Sequence, residues 1–507
     1  MPFQSADRQF DHRERFSWLA VSQCFLLVCL LFGAGCPRDT AVQDLSGGMS
    51  EEELAALRNL PLRVLCVQPE PWAEELETQY TGQYDSKIEI TVEALPTFQQ
   101  RDAKTYSQFD VLITPPAILP GLALQRQVLE LRPENLERMN ERSFLQMERP
   151  LVRIGKETYG ISLGQPLQVM FSHQQPDTNV SPGFAAFQKV IQETGDLVAA
   201  TSWAHWHTQA VEGNNGQLKY AEPLAEGGAA RALLMRGAAY ARSRTQITPF
   251  FSKSSRQPLI NGVPFVEALR ELQEEYGAHV QELKDLTSQQ AIQHVQQGTL
   301  QACIAPVVNL ALDDTAEKEA DSQSTDSGSE KPQLFVTSIP AASRYFNQFS
   351  SEWNQRSQME TYPLTGVEGR VAFVMRQTRK TESALRLLSL IANSPTAESL
   401  APFAQATGPF KEQQLDQLES WFSSEYPAEA LQGIRKVYES TKDRHGATSH
   451  FPALLGQGQL IEALDRTVLQ ALETGEDPQQ ALDRCAAEWE KMLENGDSKI
   501  QKQLLNL

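Results

Sequence analysis

Beyond its first 36 residues the sequence has only three cysteines, Cys66, Cys303 and Cys485, with no CxxC pair. That scarcity argues against a disulfide framework and a cysteine-held zinc site. Cys66 and Cys303 lie in apolar, strand-like runs and read as small buried residues. Basic charge is also in short supply: 45 Lys and Arg face 64 Asp and Glu, leaving a net charge of −19. The leader contributes nothing to this balance, because Arg8, Arg13 and Arg15 offset Asp7, Asp11 and Glu14. A body this acidic repels phosphate backbones, so nucleic acid is excluded as a partner. The dinucleotide fingerprint is missing, and Gly456-Gln-Gly-Gln459 lacks the Lys-Ser/Thr of a phosphate-binding loop. There is no internal repeat, and nothing calls for a cofactor.

What is present begins with the leader. A polar, arginine-bearing start precedes the apolar run Phe16–Phe32, and Gly33-Ala-Gly-Cys36 follows. Cationic start, apolar middle and small residues before a cut form the layout of an export signal. The cysteine after small residues resembles the lipobox of bacterial lipoproteins, which implies lipidation at Cys36. Gly33 departs from that pattern, which usually has leucine there. The alternatives are an ordinary cleaved signal or an uncleaved anchor, since the run approaches the ~18 apolar residues that span a bilayer. Each places the body of the chain in the cell envelope.

At 507 residues the chain exceeds the ~250–300 residues at which single cores stop growing, so two or more lobes are expected. After a polar tether at 36–60, Leu62–Val67 reads as a strand. Trp72, Leu76 and Tyr80 recur at helical spacing. Ile88, Ile90 and Val92 alternate with polar residues, and Asp110–Ile113 is a continuous apolar strand ending at Thr114-Pro115-Pro116. Strand, helix, strand and buried strand in that order predict a mostly parallel sheet covered by helices. Ser181-Pro182 fits a helix start, and further helices are expected over Ala229–Ala241 and Val266–Tyr276. Thr299–Ile304 reads as a strand stopping at Pro306, and 313–333 as a disordered acidic insertion. Val371–Met375 followed by Glu382–Asn393 forms another strand–helix unit, and the chain is helical from Gln414 onward.

The order of these segments resembles the family 1 extracellular solute-binding proteins of ABC importers. The stretches that carry the likeness include Val67-Gln-Pro-Glu-Pro-Trp72, Phe109–Thr114, Tyr159–Ser162, Pro258–Phe265, Ala302–Pro306, Gly369–Val374 and Ala406–Phe410. The resemblance implies an α/β, two-lobed periplasmic-binding-protein fold of type II. Each lobe is then a mostly parallel sheet flanked by helices, with a hinge of crossover strands and a helical C-terminus. It places 62–163 plus 366–401 in lobe one and 167–365 plus 402–495 in lobe two, with 1–35 as the leader. It also implies a small solute, a carbohydrate foremost, held between the lobes, and ABC permease subunits as partners. Val307 stands after Pro306 where the maltose-binding members have a stacking tryptophan, and the acidic insertion has no counterpart in the pattern.

Open α/β sheets bind ligands beyond the carboxyl ends of their strands, which points to Pro69–Trp72 and Thr114–Pro116. Aromatic faces pack on sugar rings and planar polar groups fix hydroxyls. The ligand candidates are therefore Trp72, Thr114, Pro115, Trp203, Trp206, Asn214, Pro306, Trp353, Arg370 and Thr407, against core packing as the plainer role of each tryptophan. His205-Trp-His207 on a strand places two imidazoles on one side, but without a third ligand at matching spacing no metal site is expected. Binding rather than catalysis is expected. The alternatives are a sensor or adhesion module of the same fold, and a carbohydrate-active enzyme with paired carboxylates.

Overall fold

The computed structural model describes residues 60–495, apart from 85, 100–102, 174–201, 243–248, 253–254, 256, 311–333, 423–425, 443–447 and 455. Cys36, the tether, the Ser181-Pro182 helix start and the acidic insertion lie outside the described residues. The described part belongs to one compact unit, Leu57–Leu507. None of its helices is long and apolar enough to cross a membrane.

β1 (Leu62–Cys66) follows Pro61 and buries every residue but Arg63. α1 (Glu70–Tyr84) then turns Trp72, Leu76 and Tyr80 onto the sheet, as their spacing predicts. β2 (Ile88–Val92) is a half-exposed edge strand, and β3 (Val111–Thr114) is wholly buried. β2, β1 and β3 run parallel. β4 (Ile161–Ser162) belongs to the same sheet but does not touch β3. The gap between them is filled from far along the chain by β11 (Val371–Val374), antiparallel to both. Asp110 pins this layer. Its carboxylate accepts from Arg63 N (2.9 Å) and Thr378 Oγ1 (2.7 Å) and lies 3.7 Å from Lys380 Nζ.

A second sheet begins after a link of five residues from β4. β5 (Gln168–Ser172) lies between β7 (Ala302–Pro306) and β8 (Phe335–Ser338), and β6 (Tyr220–Ala221) borders β7. Here only β6 and β7 are parallel; β5 runs against both neighbours. Around this sheet pack α2 (Trp203–Gly213), α3 (Gly228–Ala241), α4 (Val263–Tyr276), α7 (Ala428–Lys442), α8 (Gln457–Thr474) and α9 (Pro478–Asn495). α5 (Thr381–Ile391) and α6 (Ser394–Leu400) pack with α1 on the first sheet's side. A separate hairpin, β9 (Ala342–Asn347) with β10 (Glu352–Glu360), leans on α3 and α4.

α3 is buried along its whole length, so its two arginines need internal partners. Arg236 donates to both oxygens of Glu275 (2.6 and 2.9 Å), is paired with Glu222, and lies 3.7 Å from Glu271. Gly237 lets α4 approach: a Cβ there would sit 2.2 Å from the Phe265 ring.

Candidate functional site

The register of the first sheet gathers several segments at one edge. Val371 pairs with Thr114 on one side and Ser162 on the other, so Arg370 lies beside the carboxyl ends of β3 and β4. Val67 N donates to Ile113 O (2.8 Å), which brings the end of β1 to the same edge. In the second sheet Gln168 pairs with Pro306, and Val307 N donates to Leu167 O (3.0 Å). The short crossover Leu163–Leu167 thus connects the loop-bearing edges of both sheets. Beside this junction the rule of strand carboxyl ends places a ligand.

The crossover is built by close backbone approach. Gly164 has φ +84°, and a Cβ on it would sit 1.8 Å from Gly408 O. A Cβ on Gly369 (φ +110°) would sit 3.0 Å from Gly164 O and from Gln165 Cβ. Gln165 ties the layers together: its Oε1 accepts from Gly366 N (2.9 Å), its Nε2 donates to Met147 O (3.2 Å), and its carbonyl accepts from Tyr438 Oη (3.3 Å). Glu148 lies beneath, wholly buried, with Ser162 Oγ and Gln165 Nε2 on its carboxyl. Burial, with no charged group to offset it, pushes its pKa up to about 8.

The rim is polar. Gln68 exchanges two hydrogen bonds with the backbone of Gln405, Nε2 to its carbonyl (3.1 Å) and Oε1 from its amide (2.9 Å). Arg370 Nε donates to Val67 O (2.8 Å) and Nη1 to Gly369 O (2.9 Å). The residue is 7 % exposed, and burial pulls its pKa down to about 10. Arg231 of α3 is paired with Glu368 on the returning crossover. Asn309 Nδ2 donates to Pro402 O (2.5 Å), and Tyr426 Oη to Val308 O (2.9 Å).

Of the predicted ligand residues, Thr114, Pro115, Pro306, Arg370 and Thr407 lie at or next to this junction. Pro115 and Thr407 are partly exposed there, whereas Thr114 and Pro306 are buried. The tryptophans go elsewhere. Trp72 starts α1 beside the junction but is 3 % exposed, its ring in the core below. Trp203 and Trp206 are wholly buried: Arg236 covers the Trp203 ring at 4.6 Å, and Trp206 Nε1 donates to Tyr276 Oη (3.2 Å). These three rings are core residues rather than platforms, because helical spacing turns them inward. Asn214 is likewise structural: its Oδ1 accepts from Lys219 N and Tyr220 N, both at 2.8 Å, and closes the turn after α2. Trp353 is half-buried on the hairpin, with Arg344 4.4 Å over its ring.

His205 and His207 lie on a helix, not a strand, so their side chains diverge. His207 faces Glu275 (2.9 Å) and Glu274 (3.2 Å), and the Glu275 hydrogen bond raises its pKa. Among the described residues no group of three potential ligands gathers for a metal. Gly160-Ile-Ser-Leu-Gly164 spells the letters of a hydrolase nucleophile elbow. Ser162, however, lies inside β4 rather than on a strand-to-helix turn. It is wholly buried, its Oγ accepts from Gly164 N (3.1 Å), and its acidic partner is Glu148 rather than a histidine. Gln68, Gln165, Glu148 and Gln405 escape sequence reasoning, since a lone glutamine or glutamate beside a strand end forms no pattern.

No protein-family model matches the sequence, and no curated protein matches it. Solved structures do. Maltose-bound MalE3 of T. maritima aligns at TM-score 0.57 and 13% identity, covering 85% of this chain and 100% of that one. A solute-binding protein of an ABC transporter from Agrobacterium radiobacter, in complex with ribitol, aligns at 0.58 and 12%, with 85% and 100% coverage. The sugar-binding protein MalE of Xanthomonas citri aligns at 0.60 and 10%, with 86% and 98% coverage. The chain has the two-lobed fold of the ABC-transporter solute-binding proteins. In that fold the two sheets are the cores of the lobes, and the glycine-lined crossover runs between them. The proteins it resembles are binders of small molecules rather than enzymes.

Proposed function

We propose that the protein is the solute-capture component of an ABC importer. It holds a sugar or polyol at the junction between lobes that take 62–163 plus 366–401 and 167–365 plus 402–495. The observation that carries this reading is the convergence of both sheets' loop-bearing edges on one crossover within a solute-binding-protein fold. Pro115, Arg370 and Thr407 supply the contacts, joined by Gln68, over the buried Thr114 and Pro306. This set has the planar groups of Arg370 and Gln68 and the Thr407 hydroxyl but no aromatic ring, so hydroxyl recognition by hydrogen bonds outweighs aromatic stacking. Ligand favours closure only through contacts made in the closed state, and a permease pair recognises that state. Acylation of Cys36 holds the trap at the membrane beside that partner, with the leader directing export.

The test is a thermal-shift screen of the chain from Arg38 onward against maltose, maltotetraose, ribitol, tagatose, amino acids and metal ions. A ligand at a hundredfold excess over its Kd stabilises by about 2.7 kcal/mol. For a chain of this size that raises Tm by a few degrees. Thr407→Trp, which fills the partly exposed rim, is expected to abolish the shift while leaving the unliganded Tm in place. A panel with no shift, or one unaffected by Thr407→Trp, removes the junction as the capture site.

A further inference from the structure

A cavity of about 390 Å³ lies where Lys411 and Gln413 meet the helices on the first sheet's side, with no residue of the crossover in its lining. Its walls are the end of α1, the turn after the short helix Pro133–Arg138, the link between α5 and α6, and Lys411. The wall is overwhelmingly polar, with Tyr84, Asn140, Asn393 and Ser394 among its residues. In a chain of net charge −19, no aspartate or glutamate lines it, whereas two cations, Arg138 and Lys411, do.

Lys411 is the unusual member. It is 4 % exposed, and its Nζ donates to Met139 O (3.0 Å) and to Ala392 O. The ammonium sits 5.0 Å from the centre of the Phe144 ring. No described carboxylate lies within ion-pair distance of it. Burial alone accounts for the fall of its pKa to about 8, with no anion to counter the loss of water. Buried cations are ordinarily paired, because removing an unpaired charge from water is costly. Its described partners are two carbonyls and the face of Phe144, none of them an anion, although an ammonium carries three N–H donors. Arg138 stands on the same wall, held only by a long, exposed contact to Glu382 at 3.7 Å. The side chain of Asn393 makes no capping bond to α6.

We propose that this cavity is a binding site for a small oxyanion, a carboxylate or phosphate group, which completes the coordination of Lys411 and bridges to Arg138. It is separate from the solute junction and does not depend on that reading. Two charge-assisted bonds from a buried ammonium and a guanidinium would fix the anion, and the neutral donors around them suit its remaining oxygens.

Isothermal titration of the chain from Arg38 onward, at constant ionic strength in sodium chloride, tests this with inorganic phosphate, sulfate and citrate. Saturable binding of phosphate or citrate is expected, and the comparison of the two separates a free phosphate from an organic acid. Arg138→Gln and Asn393→Ala change surface-accessible groups and are expected to weaken binding at least tenfold, with Lys411→Met abolishing it. Should Lys411→Met fail to fold, the first two variants decide. Thr407→Trp is expected to leave anion affinity unchanged. Absence of saturable heat for all three anions overturns the proposal. So does equal affinity in Arg138→Gln and Asn393→Ala, or loss of binding in Thr407→Trp.

Discussion

Glu148 is buried beneath the crossover with a hydroxyl and an amide for partners, and no described cation lies within ion-pair distance. A carboxyl in such a place keeps its proton. Its folded pKa is about 8 against an ordinary value of 4.5. Between these values the folded state binds a proton that the unfolded state releases, so stability falls as pH rises from about 4.5 to 8. Below that window the contribution is fully present, and above it the slope from this residue vanishes. Glu148→Gln is neutral at every pH and retains a donor and an acceptor for Ser162 and Gln165. The difference in denaturation midpoint between wild type and Glu148→Gln should therefore drift steadily in favour of the variant across that window. Parallel pH profiles would show that Glu148 is ionised in the folded protein.

At the scale of elements, the crossover is set by glycine more than by any side chain. Gly164 combines a left-handed φ with carbonyl contact to Gly408, so Gly164→Ala meets a conformational penalty and a clash together. The first costs about 1–2 kcal/mol and the second about 1–3 kcal/mol. Gly216, with φ +86° and open space around it, meets only the first. Chemical denaturation is expected to place Gly164→Ala well below Gly216→Ala; equal midpoints would mean that the crossover tolerates displacement. Much at this scale was legible in the sequence. α1 declared itself through Trp72, Leu76 and Tyr80, and β3 through an unbroken apolar run closed by prolines. α2 was misjudged although its signal was there: Ser202 caps the helix by accepting from His205 N (3.2 Å), and Trp203 and Trp206, three apart, share a face. The candidate junction was legible only in part. Strand ends pointed to Thr114 and Pro115, but the Gln68–Gln405 pairing joins residues 337 apart and leaves no local trace.

For the molecule as a whole, Cys66, Cys303 and Cys485 are buried and unpaired, one in each sheet and one in the C-terminal helices. Burial pushes the Cys66 thiol up to about 12, so thiolate chemistry is suppressed. The chain from Arg38 onward should keep its Tm in reducing agent and resist alkylation until unfolded. Three reactive thiols in the native protein would contradict this packing. The placement of β11 reaches further, into how the molecule comes into being. β3 and β4 pair with each other only through β11, a strand synthesised after the whole second sheet. Until Val371–Val374 has emerged, β3 presents an unpaired flank and the first lobe has no finished core. The closing contacts are among the most distant in sequence, and such pairings form slowly. The nascent chain is thereby kept loose by its own topology: the sheet made first is completed late.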